Sequence, residues 1–410
     1  MMTFEEKLAE YADLAVRVGI NVQPGQNVLI NTTTDTLEFS RLIVKKAYEA
    51  GAKSVHVNFT DGPIHRAFFD LAPESAMKEF PAWMVTQRNE LIDQQGSLLW
   101  IDAEDPDLLA GVPAKRISDY QKTSGRALEK YRAAVMSDKI AWSIIAIPSK
   151  IWAKKVFPDL PKEEQVKALW EVIFKTVRIG DGTAVAKWKT HIRDLELRAT
   201  MLNDRRYKKI HYSAPGTELS VELPDKHLWL SGASRTPNQT AFIANMPTEE
   251  VYTAPLKYGV NGYVKNTKPF VYKGNLIDDF TLTFKDGKII KAHAEVGNDL
   301  LQGLIKNDEG SSYLGEIALV PHESPISASG ILFYNTLFDE NASNHLAIGE
   351  AYPTCYEGAR DLEEAQLQAL GLNTSITHED FMIGSAEMDI DGELSDGTRE
   401  PIFRKGNWAK

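Results

Sequence analysis

The sequence predicts an α/β protein in two parts: an N-terminal doubly wound parallel α/β domain over residues 1–207, and a C-terminal α+β domain rich in short strands over residues 208–410. Helical and strand periods alternate through the first half, as a parallel sheet with crossover helices requires. From about Lys208 onward the pattern turns to short apolar runs separated by turn residues. The length of 410 residues also exceeds what one core usually serves, because chains beyond about 250–300 residues tend to split.

Taken in order, Phe4 to Val18 is amphipathic, with Leu8, Tyr11, Ala12 and Ala15 on one face. Asn27 to Asn31 is a short apolar strand. Thr34-Asp35 opens a helix that runs through Ala50 and closes at Gly51, and Val55-His56-Val57 makes the next strand, completing a β-α-β unit. Ser97 to Ile101 and Ile140 to Ile147 are further strands, separated by a helical stretch around Ile117 to Met136. Residues 162–205 read as two long helices, with Pro161 near the first start and Gly180-Asp181-Gly182 between them. Beyond Lys208 come Ile210-His211-Tyr212, Leu219-Ser220-Val221 and His227 to Leu230. Phe280 to Val296 is broken by Lys285-Asp286-Gly287-Lys288, a hairpin signature, and Asp391-Gly392 marks a second turn.

Composition narrows the function. A formal net charge of -11 argues against nucleic acid as a partner, since phosphate binding needs clustered basic surface. The single cysteine, Cys355, excludes an intrachain disulfide and has no adjacent histidine to activate it, so it is read as structural. The N-terminal Met-Met-Thr-Phe-Glu-Glu-Lys-Leu lacks the basic-then-apolar order of a signal peptide, and no apolar run is long enough for a membrane span. A cytoplasmic enzyme with no membrane partner is expected.

The chemistry concentrates in the last third, where Glu250, Glu316, His345, Tyr352, His378 and Asp380 read together as the ligand set of a two-metal hydrolytic site. Divalent metals of hard and borderline character take this mixture of carboxylate oxygen and imidazole nitrogen. In Thr377-His378-Glu379-Asp380-Phe381-Met382 a polar triplet enters an apolar strand, so His378 and Asp380 would present nitrogen and oxygen on one side. The plainer alternative is that His378 caps a turn and Asp380 begins a strand. Glu316 is the only charge from Tyr313 to Val320, a run that Pro321 stops. A lone carboxylate in a buried strand must be paired, neutralised or bound to metal; an edge strand with Glu316 facing water is the alternative.

Glu249-Glu250 follows Pro247, which also suits an acidic first turn of a helix. If the centre of residues 338–353 is helical, His345 and Tyr352 stand seven apart on one face, against ordinary partial burial of the tyrosine. His322 could reach the site as a proton shuttle, but it also suits a surface loop. Nothing in the spacing of His56 and His65 marks them as ligands.

Rival chemistries fail on their motifs. Gly180-Asp181-Gly182 lacks a third glycine and follows a helix rather than a strand, so the dinucleotide fingerprint is absent, and there is no P-loop. Ile326 and Met382 stand where a zincin needs its second histidine. Ser327-Ala328-Ser329-Gly330 lacks the first glycine of a nucleophile elbow.

The segments Pro-Thr-Glu-Glu-Val-Tyr around Glu250, Gly-Glu-Ile-Ala-Leu-Val around Glu316, His345 to Tyr352 and His378-Glu379-Asp380 resemble those of the aminopeptidase T / aminopeptidase S / PepS family of bacterial dinuclear metalloaminopeptidases. The resemblance spans essentially the whole chain, with most of its signal in residues 240–390. It implies two divalent ions (zinc, cobalt, manganese or magnesium) held by Glu250, Glu316, His345, His378 and Asp380, with Tyr352 close by. It further implies peptides with a free N-terminal amine as substrates, broad specificity and a homodimer. On this expectation Glu316 bridges the ions, Tyr352 is a metal ligand or an oxyanion donor, and one of the unassigned acids Glu249, Glu323 and Glu340 accepts the water proton or binds the substrate's ammonium group. A metal-dependent amidohydrolase of a small non-peptide substrate, or a non-enzymatic protein with a structural metal site, are the competing expectations.

Overall fold

The computed structural model describes residues 2–103, 105–272 and 275–410. The chain forms two compact units, one of residues 1–192 and 233–248, the other of residues 193–232 and 249–410.

The first unit is built on a five-stranded parallel sheet in the order Asn245–Met246, Ala141–Ala146, Ser97–Asp102, Asn27–Thr33, Ser54–Thr60. The chain enters at Asn27–Thr33, adds Ser54–Thr60 on one side and then winds to the other, which makes the sheet doubly wound. Strands with both faces covered carry apolar residues on both faces, as in Val28, Leu29, Ile30, Leu98, Leu99, Ile145 and Ala146, all buried. The first helix, Phe4–Leu14, starts at a capping box in which the Thr3 hydroxyl accepts from Glu6 N–H and the Glu6 carboxylate accepts from Thr3 N–H. The helix expected from Thr34 opens with a 3₁₀ turn, Thr34–Thr36, before Leu37–Glu49. The Gly180-Asp181-Gly182 segment holds the carboxylate of Glu10, which accepts from Gly180 and Ala184 N–H at the start of the helix Ala184–Arg205.

The second unit contains two antiparallel sheets. The larger runs Phe270–Tyr272, Asn275–Lys285, Val260–Lys265, Thr217–Glu222, Lys209–Ala214, Asp389–Glu393, Arg399–Arg404, Asn407–Trp408, with Lys288–Val296 completing the expected hairpin on Asn275–Lys285. The smaller has five strands in the order His378–Met382, His345–Gly349, Leu314–Leu319, Val251–Thr253, Leu230–Ser231. One hydrophobic core serves both, with Ile210, Val221, Phe280 and Leu282 from the larger sheet and Ile317, Leu346 and Phe381 from the smaller; the rings of Phe280 and Phe381 lie 5.5 Å apart.

Two local expectations are corrected. Asp391-Gly392 is not a turn: it lies inside the strand Asp389–Glu393, where any side chain at Gly392 would strike the Tyr207 ring. Glycine is needed there for close packing, and the chain reverses instead at Gly397. The segment from His345 to Tyr352 is not helical. His345–Gly349 is a fully buried central strand, because a short apolar run flanked by paired strands satisfies its backbone through the ladder. Tyr352 then follows in extended conformation ahead of the 3₁₀ turn Pro353–Cys355.

Candidate metal centre

Register decides which side chains meet. In the smaller sheet Tyr252 pairs with Ala318, Ala318 with His345 and His345 with Met382. Glu316 pairs with Ala347 and Ala347 with Asp380, while Gly349 pairs with His378. Paired residues share a face and side chains alternate along each strand. Glu316, His345, His378 and Asp380 therefore stand on one face, and Glu250 joins them two residues before Tyr252. The other face carries Val251, Ile317, Leu319, Leu346, Ile348 and Phe381, all in the core. Ala347, between Glu316 and Asp380, offers only a methyl group, so the carboxylates on its two sides face a common space.

A β-bulge makes this arrangement possible. Leu314 pairs with Ile348 and Glu316 with Ala347, so two steps along one strand match one step on its partner. The extra residue, Gly315, turns the strand so that Leu314 enters the core while Glu316 points to the opposite face. A Cβ at Gly315 would collide with the carbonyl oxygens of Gly349 and Glu350.

The donor atoms form two groups that share Glu316: Glu250, Glu316 and His345, and Glu316, His378 and Asp380, the atoms of each lying within 4.8 Å of one another. His345 Nε2 is 3.2 Å from Glu250 Oε2 and 3.7 Å from Glu316 Oε1. His378 Nε2 is 3.7 Å from Glu316 Oε2 and 3.8 Å from Asp380 Oδ2. Each imidazole is oriented from behind: His345 Nδ1–H donates to the Ser343 carbonyl at 3.1 Å and His378 Nδ1–H to the Glu350 carbonyl at 2.8 Å. These bonds hold Nδ1–H on a carbonyl and aim Nε2 at the carboxylates, the orientation that metal-binding histidines use.

The electrostatics agree. Burial pushes the Glu316 carboxyl above its ordinary range, with Asp380 and Glu250 adding to the effect and His345 opposing it. Burial disfavours a charged His345, yet Glu250 and Glu316 outweigh it and raise its pKa well above the usual imidazole value; His378 is raised likewise by Asp380 and Glu316. The Tyr352 phenol is raised well above its usual range by burial and then by the charges of Glu316, Asp380, Glu340 and Glu250, so it keeps its proton. Its ring packs edge-on to His378 at 5.0 Å and lies 5.9 Å from Tyr252.

Of the three acids considered as bases, two are buried and one is exposed. Glu340 is buried, and burial followed by the charges of Asp380 and Glu250 pushes its carboxyl well above the ordinary value. Glu249 is buried beside Glu250, with its backbone N–H donated to Asn341 Oδ1. Glu323 and His322 lie exposed in a turn, held through their backbone N–H groups by Asn407 and Gly406. His56 and His65 belong to the first unit, where His56 is exposed and His65 packs on Phe69. Glu340 carries a weak sequence signal, an acid five residues before His345 in a polar run. The carbonyls of Ser343 and Glu350 carry none.

The donor set fits a divalent cation. Carboxylates of Glu250, Glu316, Glu340 and Asp380, buried or nearly so, stand around imidazoles whose Nε2 atoms face inward, and this concentration of negative charge is what such an ion neutralises.

The family model described as thermophilic metalloprotease (M29) matches residues 4–408. Aminopeptidase AmpS of Bacillus subtilis (strain 168) is 51% identical over 409 residues, covering 100% of both chains, and aminopeptidase 2 of Geobacillus stearothermophilus is 48% identical over 100% of this chain and 99% of its own. The solved structure titled wild-type AmpT from Thermus thermophilus superposes with a TM-score of 0.93 at 37% identity, covering 100% of each chain. The two-unit fold, the metal-ligand chemistry and these full-length matches lead to one assignment: the chain belongs to the M29 family of metalloproteases.

Proposed function

We propose that the chain is a metal-dependent aminopeptidase that removes the first residue from peptides bearing a free N-terminal amine, using two divalent ions (zinc, cobalt, manganese or magnesium) bound by Glu250, Glu316, His345, His378 and Asp380. The aminopeptidases among its full-length relatives support the activity. The observation that carries the two-ion reading is that Glu316 turns Oε1 toward His345 and Oε2 toward His378, so it is assigned as the bridge. A divalent cation bound there supplies Lewis acidity toward a carbonyl oxygen and lowers the pKa of a coordinated water.

The side chains divide the remaining work. Glu340, pushed up by burial and by Asp380 and Glu250, is the proton acceptor for the attacking water and returns that proton to the leaving amine. Tyr352, which keeps its proton beside the carboxylates, donates a hydrogen bond to the carbonyl oxygen as it gains charge. The Nδ1 bonds of His345 and His378 hold both rings in place through the cycle. We assign this chemistry to the C-terminal domain, residues 208–410, of a cytoplasmic homodimer. Light scattering and cell fractionation test those last two assignments. No helix among the described residues is long and apolar enough to cross a membrane.

The deciding experiment strips the protein with chelator and follows cleavage of leucine and arginine p-nitroanilides, free and N-acetylated, as zinc, cobalt, manganese or magnesium is restored. Metal-restored cleavage of the free-amine substrates alone is the expected result. Cleavage of both forms would move the reading to a general amidase, and no cleavage with any metal would make the site structural.

A further inference from the structure

Between the helix Thr336–Asp339 and the strand His345–Gly349 the chain passes through Glu340-Asn341-Ala342-Ser343-Asn344, every residue of it buried. Buried polar side chains cost free energy unless they are hydrogen-bonded, and the bonds made here reach the segments that carry the proposed ligands. Asn344 Oδ1 accepts from Val320 N–H at 2.8 Å, just past the Glu316 strand. Ser343 Oγ accepts from Gly384 N–H at 2.7 Å, just past the Asp380 strand. Asn341 is the most committed: its Oδ1 accepts from Glu249 N–H at 2.8 Å, while its Nδ2 donates to Glu340 Oε1 at 3.2 Å and to the Leu337 carbonyl at 3.1 Å. One amide thus fixes the backbone that presents Glu250 and the carboxylate of Glu340. No comparable bond from Asn341 reaches the strand of His378 and Asp380 among the interactions of the described residues.

We infer that Asn341 is a positioning residue for the Glu250, Glu316 and His345 group, so that one of the two cation sites depends on it much more than the other. The inference rests on the two-ion reading. Partners that orient metal ligands typically matter roughly 10–100-fold in affinity. A change of that size is expected at one cation equivalent in Asn341→Ala, with the other equivalent within about threefold of wild type. Asn341→Asp keeps the acceptor for Glu249 N–H but sets a carboxylate against Glu340, and should fall between the two.

The test titrates the metal-free full chain with cobalt(II), by calorimetry and by visible absorption, in wild type, Asn341→Ala, Asn341→Asp and Asn266→Ala. Asn266 is a buried control in the same unit, bonded to Phe280 N–H, the Lys268 carbonyl and Asp278. Its loss should lower thermal stability without changing cobalt affinity. Selective weakening of one equivalent in Asn341→Ala, with partial recovery in Asn341→Asp, supports the inference. Equal weakening of both equivalents, or the same effect from Asn266→Ala, overturns it. If Asn341→Ala does not fold, Asn341→Asp alone decides by the same criterion. A single equivalent in wild type would defeat the two-ion reading instead; Asn341 would then stand or fall on whether that equivalent weakens.

Discussion

The inner strands of the parallel sheet in the first unit and of the five-stranded antiparallel sheet in the second are both buried, but they use that burial differently. In Asn27–Thr33 and Ser97–Asp102, side chains on alternate faces, such as Leu29 and Ile30 or Leu98 and Leu99, enter apolar surroundings. In Leu314–Leu319 and His345–Gly349 every residue is equally buried, yet only one face is apolar; the other presents Glu316 and His345. A sheet with both faces packed can contribute stability alone. One that keeps a charged face buried must neutralise it, and the physical means available are pairing, protonation or a cation.

The largest way to test this contrast is to remove the shared carboxylate. Glu316→Ala should abolish measurable aminopeptidase activity and uncouple the two donor groups, read as lost metal equivalents by elemental analysis; retained activity would defeat the bridging assignment. Tyr352→Phe should lower kcat by roughly 10²–10³ with metal content unchanged, since it deletes only a donor to the developing oxyanion. A kcat equal to wild type would discard that role. In the parallel sheet the expected effect is of another kind: Leu99→Ala should cost about 2–5 kcal/mol of stability through the cavity it opens, while the folded fraction keeps its metal content.

How much of this could be read from sequence follows from the range of the forces involved. The β-α-β order was legible because hydrophobic period and chain breakers such as Gly51 are local. The common side of His378 and Asp380 was legible because two residues on a strand need no knowledge of a partner. Glu316 stood out as a lone charge in an apolar run. Nothing local, however, announces that Gly315 forms a bulge, because a bulge is a mismatch with a strand some thirty residues later in sequence. The two-residue strand Asn245–Met246 is equally invisible, since it exists only by pairing with Ala141–Ala146. The helix considered for the centre of residues 338–353 does not include His345 for the same reason: flanking strands decided that segment. Glu340 was in view as one acid among three, and only the fold separates it from exposed Glu323.

The smallest expected effect compares two histidines. His227 and His345 are both buried, and each donates Nδ1–H to a carbonyl, of Pro224 at 2.8 Å and of Ser343 at 3.1 Å. They differ at Nε2, which in His345 faces Glu250 and Glu316 and in His227 is buried with no hydrogen-bond partner among the described residues. Burial accordingly pushes the pKa of His227 down, only partly offset by the Pro224 carbonyl, whereas that of His345 goes up. Because the folded pKa of His227 lies below the unfolded value of about 6.5, its contribution to stability is intact above that pH. Below it the unfolded chain takes up a proton that the folded chain refuses, so stability falls as pH drops toward the folded pKa. His227→Gln removes this term. The difference in Tm between variant and wild type should therefore shift in favour of the variant from pH 7.5 to pH 5.5, while contributions from the metal ligands, common to both proteins, cancel. A difference independent of pH would mean that His227 takes up its proton in the folded state, and that the carboxylates are not what separates the two imidazoles.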